Sequence, residues 1–282
     1  MTEGKKPDLL GLILRVGLFI LIGYLSFNVF GIALLWLTNG SLLITATMAA
    51  FAAAALANAI TVRIYERGQL SALGLGWTKA SSREFLLGMG SGAGAACLVL
   101  LLPVAAGMAS FEKVPGSEHI VASLAFVSIV LLFGAFGEEM LFHGYAFQLL
   151  IRRIGGFATI LPAAVIFGIA HMDNPNRNLL GIVNTMLWGF VFGYAYLRTS
   201  ALWLPIGLHF GWNVALPMLG ANLSGFTMGV TGYALHWKAG DLWSGGGYGP
   251  EGSLPTTAIV IVLFFVVHRF TVEQVTMEQE SL

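Results

Sequence analysis

The sequence predicts an all-α, polytopic membrane protein: a bundle of eight transmembrane helices around an intramembrane polar cavity. Three observations lead there. Apolar residues make up 57% of the 282 positions and charged ones only 10%, against about 25% charged in a soluble domain; mean hydropathy is +0.81. Long apolar runs recur along the whole chain. Carboxylates, imidazoles and an amide then interrupt three of those runs, where burying them is costly. The 14 basic and 14 acidic residues balance, so nothing points to nucleic acid. Cys97 is the single cysteine, which excludes an internal disulfide and a cysteine-based zinc site; beside Ala95 and Ala96 it reads as packing. With no repeat, linker or break in composition, residues 1–282 read as one membrane domain.

A span needs about 20 apolar residues, fewer where neighbouring helices shield it. Lys5 and Lys6 precede a run from Leu9 to Leu37 that is far longer than the ~7–15 apolar residues of a cleavable signal, so 9–37 is the first span. The others are 41–62, 84–108, 119–151, 157–172, 178–197, 201–219 and 255–268. In the third, Gly88, Gly90, Gly92 and Gly94 have the spacing of a helix-packing face. The fourth would measure about 50 Å as one helix, so a break or a projection beyond the bilayer is expected. The fifth, seventh and eighth are short, as helices lining a cavity often are. The glycine-rich loop from Gly220 to Leu254 carries Tyr233, Trp237, Trp243 and Tyr248, which read as membrane-interface aromatics, with substrate gating the lesser alternative.

Charge sets the orientation. Eight spans with a cytoplasmic N-terminus place eleven Lys and Arg inside and only Lys113, Arg177 and Lys238 outside, as the positive-inside bias requires. Both termini are then cytoplasmic. At 1.5 Å per residue, Glu138 and Glu139 lie about 20 Å from the cytoplasmic end of their helix, with His171 at about 21 Å and His209 at about 12 Å along theirs. Three helices thus bring polar groups to a similar depth.

Glu138 and Glu139 sit in Phe133-Gly-Ala-Phe-Gly-Glu-Glu-Met-Leu-Phe-His143-Gly144. Adjacent helical residues diverge by about 100°, whereas Glu139 and His143 are i,i+4 and share a face. His143 can therefore hold Glu139 while Glu138 faces another helix. A poorly solvated carboxylate takes up a proton readily, which suits a general base acting on water; the alternative is a structural ion pair between helices. His171 closes Phe167-Gly-Ile-Ala-His171 and either shares a water or metal with Glu138 or sits at the interface, where Met172-Asp-Asn-Pro-Asn176 begins a polar loop. His209 and Asn213, i,i+4 in Leu208-His-Phe-Gly-Trp-Asn213, can bind the oxyanion of a tetrahedral intermediate or serve as interhelical hydrogen bonds worth about 1 kcal/mol each. Gly207 and Gly211 would let a helix or a substrate strand approach. No HExxH helix is present, but Glu138, His171 and His209 match a two-histidine, one-carboxylate zinc set. Water activation without a metal is the other possibility. The absence of a Gly-x-Ser-x-Gly elbow leaves no evident nucleophile.

These three motifs resemble those of the CPBP family, the type II CAAX prenyl endopeptidases and Abi intramembrane proteases. The stretches Gly193-Tyr-Ala-Tyr-Leu-Arg198 and Leu202-Trp-Leu-Pro-Ile-Gly207 resemble that family's link into its third motif, and the likeness covers roughly 120–217, a catalytic core. It implies an eight-helix intramembrane endopeptidase whose cavity opens toward membrane and cytosol. Glu138 resembles the water-activating glutamate with His171 as partner, His209 and Asn213 the oxyanion pair, and Glu139 the supporting glutamate held four residues on. The family's mechanism is argued both as zinc-dependent and as metal-free; the metal-free form, needing no cofactor, is preferred here. The first motif most often ends in Arg, where this chain has His143, a shorter and titratable partner. That departure puts a prenylated substrate in question, and Glu280-Ser281-Leu282 at the C-terminus is not a CAAX box.

The expectation is therefore a multi-pass protein of a bacterial or archaeal cell membrane that hydrolyses a peptide bond in a membrane-associated peptide or protein. The alternative is a non-proteolytic immunity or partner-binding protein on the same scaffold. A transporter with proton-binding carboxylates is a further rival, disfavoured by the lack of inverted repeats.

Overall fold

The computed structural model describes residues 8–114 and 120–270; Lys5, Lys6 and Glu280-Ser281-Leu282 lie outside them. The chain runs α1 (Leu9–Leu37), α2 (Leu42–Thr61, continued by a π turn over Val62–Glu66), α3 (Lys79–Ala105), β1 (Ala109–Lys113), α4 (Ile120–His143), α5 (Tyr145–Ile154), α6 (Gly156–Ile169), α7 (Leu179–Thr199), α8 (Trp203–Met218), β2 (Tyr233–Trp237), α9 (Asp241–Ser244) and α10 (Leu254–Arg269). Five helical stretches are long and apolar enough to cross a bilayer: 9–37, 42–66, 79–105, 120–154 and 179–199. Helix also fills the windows expected at 157–172, 201–219 and 255–268, but α6, α8 and α10 have 14, 16 and 16 residues, short for an unassisted span. The chain is a helical, multi-pass membrane protein.

One feature departs from the expected all-helical bundle, and the break expected in the fourth segment is present. Beyond α3, β1 pairs antiparallel with β2, from Ala109 opposite Trp237 to Lys113 opposite Tyr233. The long fourth segment is divided at Gly144 into α4 and α5. Breaking a helix inside apolar surroundings orphans backbone groups that water cannot reach. Asn58 of α2, fully buried, satisfies them: its Nδ2 donates to the Met140 carbonyl at 2.9 Å, and its Oδ1 accepts from the Tyr145 N–H at 2.8 Å. A Cβ at Gly144 would run into the Met140 carbonyl and the Asn58 amide, so the break requires glycine. Gln148 adds bonds to the His143 and Leu73 carbonyls, both at 3.1 Å.

The tightest seam joins α3 to α8. Gly88 and Gly92 meet the backbone of α8 around Leu204, Leu208 and Trp212, while Gly207 and Gly211 meet that of α3 at Phe85 and Met89. Small residues let two helix axes approach closely, as membrane packing favours. Gly90 and Gly94 have nothing within 4 Å of a hypothetical Cβ. Only half of the expected glycine face is therefore an interface, and the element received by Gly207 and Gly211 is α3.

Candidate active site

Glu138 stands on the last turns of α4, His171 just beyond the end of α6, and His209 midway along α8. Their side chains converge: Glu138 Oε2 is 3.7 Å from His171 Nε2 and 3.8 Å from His209 Nε2. That oxygen is buried and has no hydrogen-bond partner among the described residues. Both imidazoles are oriented from behind. His171 Nδ1–H donates to the Phe167 carbonyl at 2.8 Å, and a carbonyl can only accept, so Nδ1 carries the proton. His209 Nδ1 donates to Glu139 Oε1 at 2.8 Å. In each neutral ring the Nε2 lone pair is then turned toward Glu138.

Glu139 is completely buried and is shared by two histidines, since its Oε2 also accepts from His143 Nδ1 at 2.7 Å. Spacing in the sequence joined Glu139 to His143 alone; the bond to His209 crosses helices and carries no local signature. The His143 ring fits against Gly193, where a Cβ would lie 3.4 Å from Nε2, and it meets the Phe147 ring edge to face at 4.8 Å. His209 stacks on Phe192 at 4.7 Å and 12°. The two glutamates differ in access: the Glu138 side chain is 26% exposed and that of Glu139 is 0%. Glu138 is open to the cavity, whereas Glu139 is enclosed between the two imidazoles it bonds.

A cavity of about 620 Å³ opens in front of these groups, lined by Glu138, His171, His209 and Asn213 on its polar side. The remaining wall is mainly apolar, with Phe19, Ile20 and Tyr24 from α1, Leu43 from α2 and Ile166 from α6. The expected polar cavity is thus an apolar one with a polar corner. Among the described residues, no group of three or more His, Cys, Asp or Glu side chains has the spacing to hold a metal ion. Glu138, His171 and His209 have the donor chemistry for zinc, but as placed they do not close around one point.

The sequence reading missed Glu251. It comes from the Gly220–Leu254 loop, taken above as an interfacial segment, and it lines the same cavity. Tyr233 and Trp243 are half exposed as expected there, but Tyr248 is fully buried and Glu251 is 8% exposed. The loop therefore caps the cavity. Its turn depends on Gly245 at φ +78°, where a Cβ would collide with the Gly249 carbonyl, a conformation that favours glycine. Burial pushes the Glu251 carboxyl above the usual carboxylate range, although Ser224 and Trp212 donate to it and draw it back. Burial and the nearby Glu251 push the Tyr248 hydroxyl up to about 12. A lone acid between Pro250 and Gly252 was the one available signal.

A family model matches the segment that carries Glu138, His171, His209 and Asn213. Residues 120–215 match the type II CAAX prenyl endopeptidase Rce1-like family. A Bacillus subtilis (strain 168) protein named "Putative membrane peptidase YdiL" is 34% identical over 76 residues, 27% of this chain and 29% of that protein. The match thus spans under a third of the relative's length. No solved structure matches. The segment that carries Glu138, His171 and His209 is thus similar to the Rce1-like type II CAAX prenyl endopeptidases.

Proposed function

We propose that the chain is an intramembrane endopeptidase that hydrolyses a peptide bond with water activated by Glu138. The observation that carries this reading is the unbonded Glu138 Oε2 between two imidazole Nε2 atoms at 3.7 and 3.8 Å. A water held there can donate to Glu138 and attack a carbonyl carbon. The C–O bond forms as the water proton passes to Glu138, and the carbonyl becomes an oxyanion. Asn213 faces the same cavity and can donate to that oxygen, as can His209 Nε2 when its ring is protonated. Glu138 then returns the proton to the departing nitrogen as the C–N bond breaks. Glu139 keeps the His209 ring turned, with His143 at its other oxygen.

In this reading Glu138 acts without a metal; zinc held by Glu138, His171 and His209 is the alternative that the chelator below tests. The substrate is a membrane-associated peptide or protein, whose apolar portion suits the wall formed by α1, α2 and α6. Eight spans with both termini in the cytoplasm, as the charge bias favours, put the 219–253 cap on the outer side. The test uses purified wild type and Glu138→Ala with a peptide library that includes a farnesylated member, with and without a strong chelator. Cleavage by wild type alone supports the reading. Equal cleavage by both proteins overturns the assignment of Glu138, and chelator-sensitive cleavage restored by zinc overturns the metal-free form. Specific binding of a partner protein without any cleavage would favour the non-proteolytic alternative.

A further inference from the structure

Glu251 is the buried carboxylate that the reaction above leaves unused. Its Oε1 accepts from Trp212 Nε1 at 3.2 Å, and its Oε2 accepts from Ser224 Oγ at 2.8 Å and from the Ser224 backbone N–H. The backbone of its turn is bolted to α7: Asn184 Nδ2 donates to the Glu251 and Ser253 carbonyls at 2.7 and 2.9 Å. Thr257 in turn donates to Asn184 Oδ1 at 2.7 Å. Glu251 is therefore a fixed point rather than a mobile side chain. Its Trp212 bond leads back to the site, because Trp212 lies on α8 between His209 and Asn213.

The rings then form a continuous series. Trp212 meets Trp188 at 4.8 Å, Trp188 stacks on Phe192 at 5.2 Å, and Phe192 stacks on His209. His209 is thus held from two directions, by Glu139 at Nδ1 and by this stack across its face. A cap that needed only to dock would be served as well by apolar groups, since burying a carboxylate carries a desolvation penalty that apolar packing avoids. An acceptor aimed at the indole N–H instead fixes how the Trp212 ring is turned.

We propose that Glu251 is a positioning residue of the active site, acting through Trp212 and the Trp188–Phe192 stack to hold the His209 ring with Nε2 toward Glu138. The inference rests on the protease reading for its kinetic arm only. Misplacement of a reacting group by about 1 Å costs on the order of 100-fold in rate. Glu251→Leu is accordingly expected to lower kcat about 10- to 100-fold with KM changed less than about threefold. Trp212→Phe, which removes the indole donor and keeps a ring, should reproduce the loss. Glu251→Gln, which retains an acceptor, should recover part of it. The double variant should be no worse than either single one, since residues acting through one bond are not additive.

A second arm needs no turnover. In protein carrying labelled histidine, the ring resonance of His209, assigned by its loss in His209→Gln, should shift in both Glu251→Leu and Trp212→Phe. An unmoved His209 resonance in either variant overturns the proposal whether or not the protein is a protease. Additive kinetic losses, or lower thermal stability at unchanged kcat, overturn it as well and leave Glu251 a cap-docking residue. Absence of cleavage by the wild type counts against the protease reading, and cleavage retained by Glu138→Ala counts against Glu138 as the base; either result leaves the resonance arm standing.

Discussion

The two sides of the cavity are built on opposite principles. Behind the polar corner, twelve of the sixteen residues of α8 are buried, and α8 lies against α3 with glycine in place of side chains. Across the cavity, only four of the twenty-nine residues of α1 are buried, namely Leu12, Phe19, Gly23 and Ser26. Near its start α1 is tied by Arg15, which bonds Glu66 at 3.2 Å and lies 4.8 Å over the Tyr65 ring. Side chains offered for chemistry must be held to fractions of an ångström, and two of them, His209 and Asn213, ride on the seam that cannot slide. The wall that an apolar substrate would pass is the helix with the least packing to lose.

The sharpest way to break that comparison is to force the seam apart. A Cβ at Gly92 would sit 2.8 Å from the Trp212 nitrogen and closer still to the Leu208 carbonyl, and backbone cannot move aside as a side chain can. Gly92→Leu is expected to cost about 4 kcal/mol or more, seen as loss of a folded, monodisperse protein in detergent. Gly90→Leu, two positions away and facing open space, should melt within a degree or two of wild type. Equal damage from both would mean that α3 and α8 do not meet along this face.

Asn58→Leu comes next. It strands the Met140 carbonyl and the Tyr145 N–H at the α4–α5 break, and each buried group left unpaired costs about 1–3 kcal/mol. Thermal unfolding should show a loss of about 2–5 kcal/mol, with cleavage lowered because Glu138 and Glu139 stand two turns or less before the break. Retained stability would mean that the break supports itself.

The opposite wall should respond in KM rather than in folding. Gly23 faces the cavity, with a Cβ placed 3.5 Å from Leu141 Cδ1 and 3.9 Å from the Ala57 Cβ. Gly23→Leu is expected to narrow the cleft and raise KM for a bulky apolar substrate several-fold at nearly unchanged kcat. Removing the surface tie with Arg15→Leu should cost only about 1 kcal/mol, as partly exposed ion pairs do. A fall in kcat at constant KM would show that α1 positions the chemistry as well.

What could be read from the sequence follows the same division. Apolar runs and i,i+4 spacing are local, so the helices, the Glu139–His143 pair and the different facing of the two glutamates were accessible. Gly88 and Gly92 could not be told from Gly90 and Gly94, because the choice depends on where α8 lies. Asn58 meets its partners 82 and 87 positions away, and nothing local in its alanine-rich helix marks it. The bond from Glu139 to His209 and the reach of Glu251 into the cavity cross the fold in the same way. The β1–β2 ribbon was hidden because its strands lie in the connection after the third span and in the glycine-rich loop, and pair across the fold.

The smallest effect concerns the cap and its pH dependence. Burial is the largest influence on Glu251 and holds its folded-state carboxyl above the unfolded value, against the pull of Ser224 and Trp212. A group whose pKa is raised on folding binds protons more tightly in the folded state, so it stabilises that state at low pH. Its contribution is complete below the ordinary carboxylate pKa of about 4.3 and fades as pH rises through the folded-state value. Unfolding of the wild type, followed by temperature across the acidic range, should therefore show a component of stability that declines with rising pH. Glu251→Gln cannot titrate and should flatten that component while leaving the α3–α8 seam intact. An identical pH slope in both proteins would assign the component to another group, and a slope of opposite sign would mean that the three donors outweigh burial at the cap.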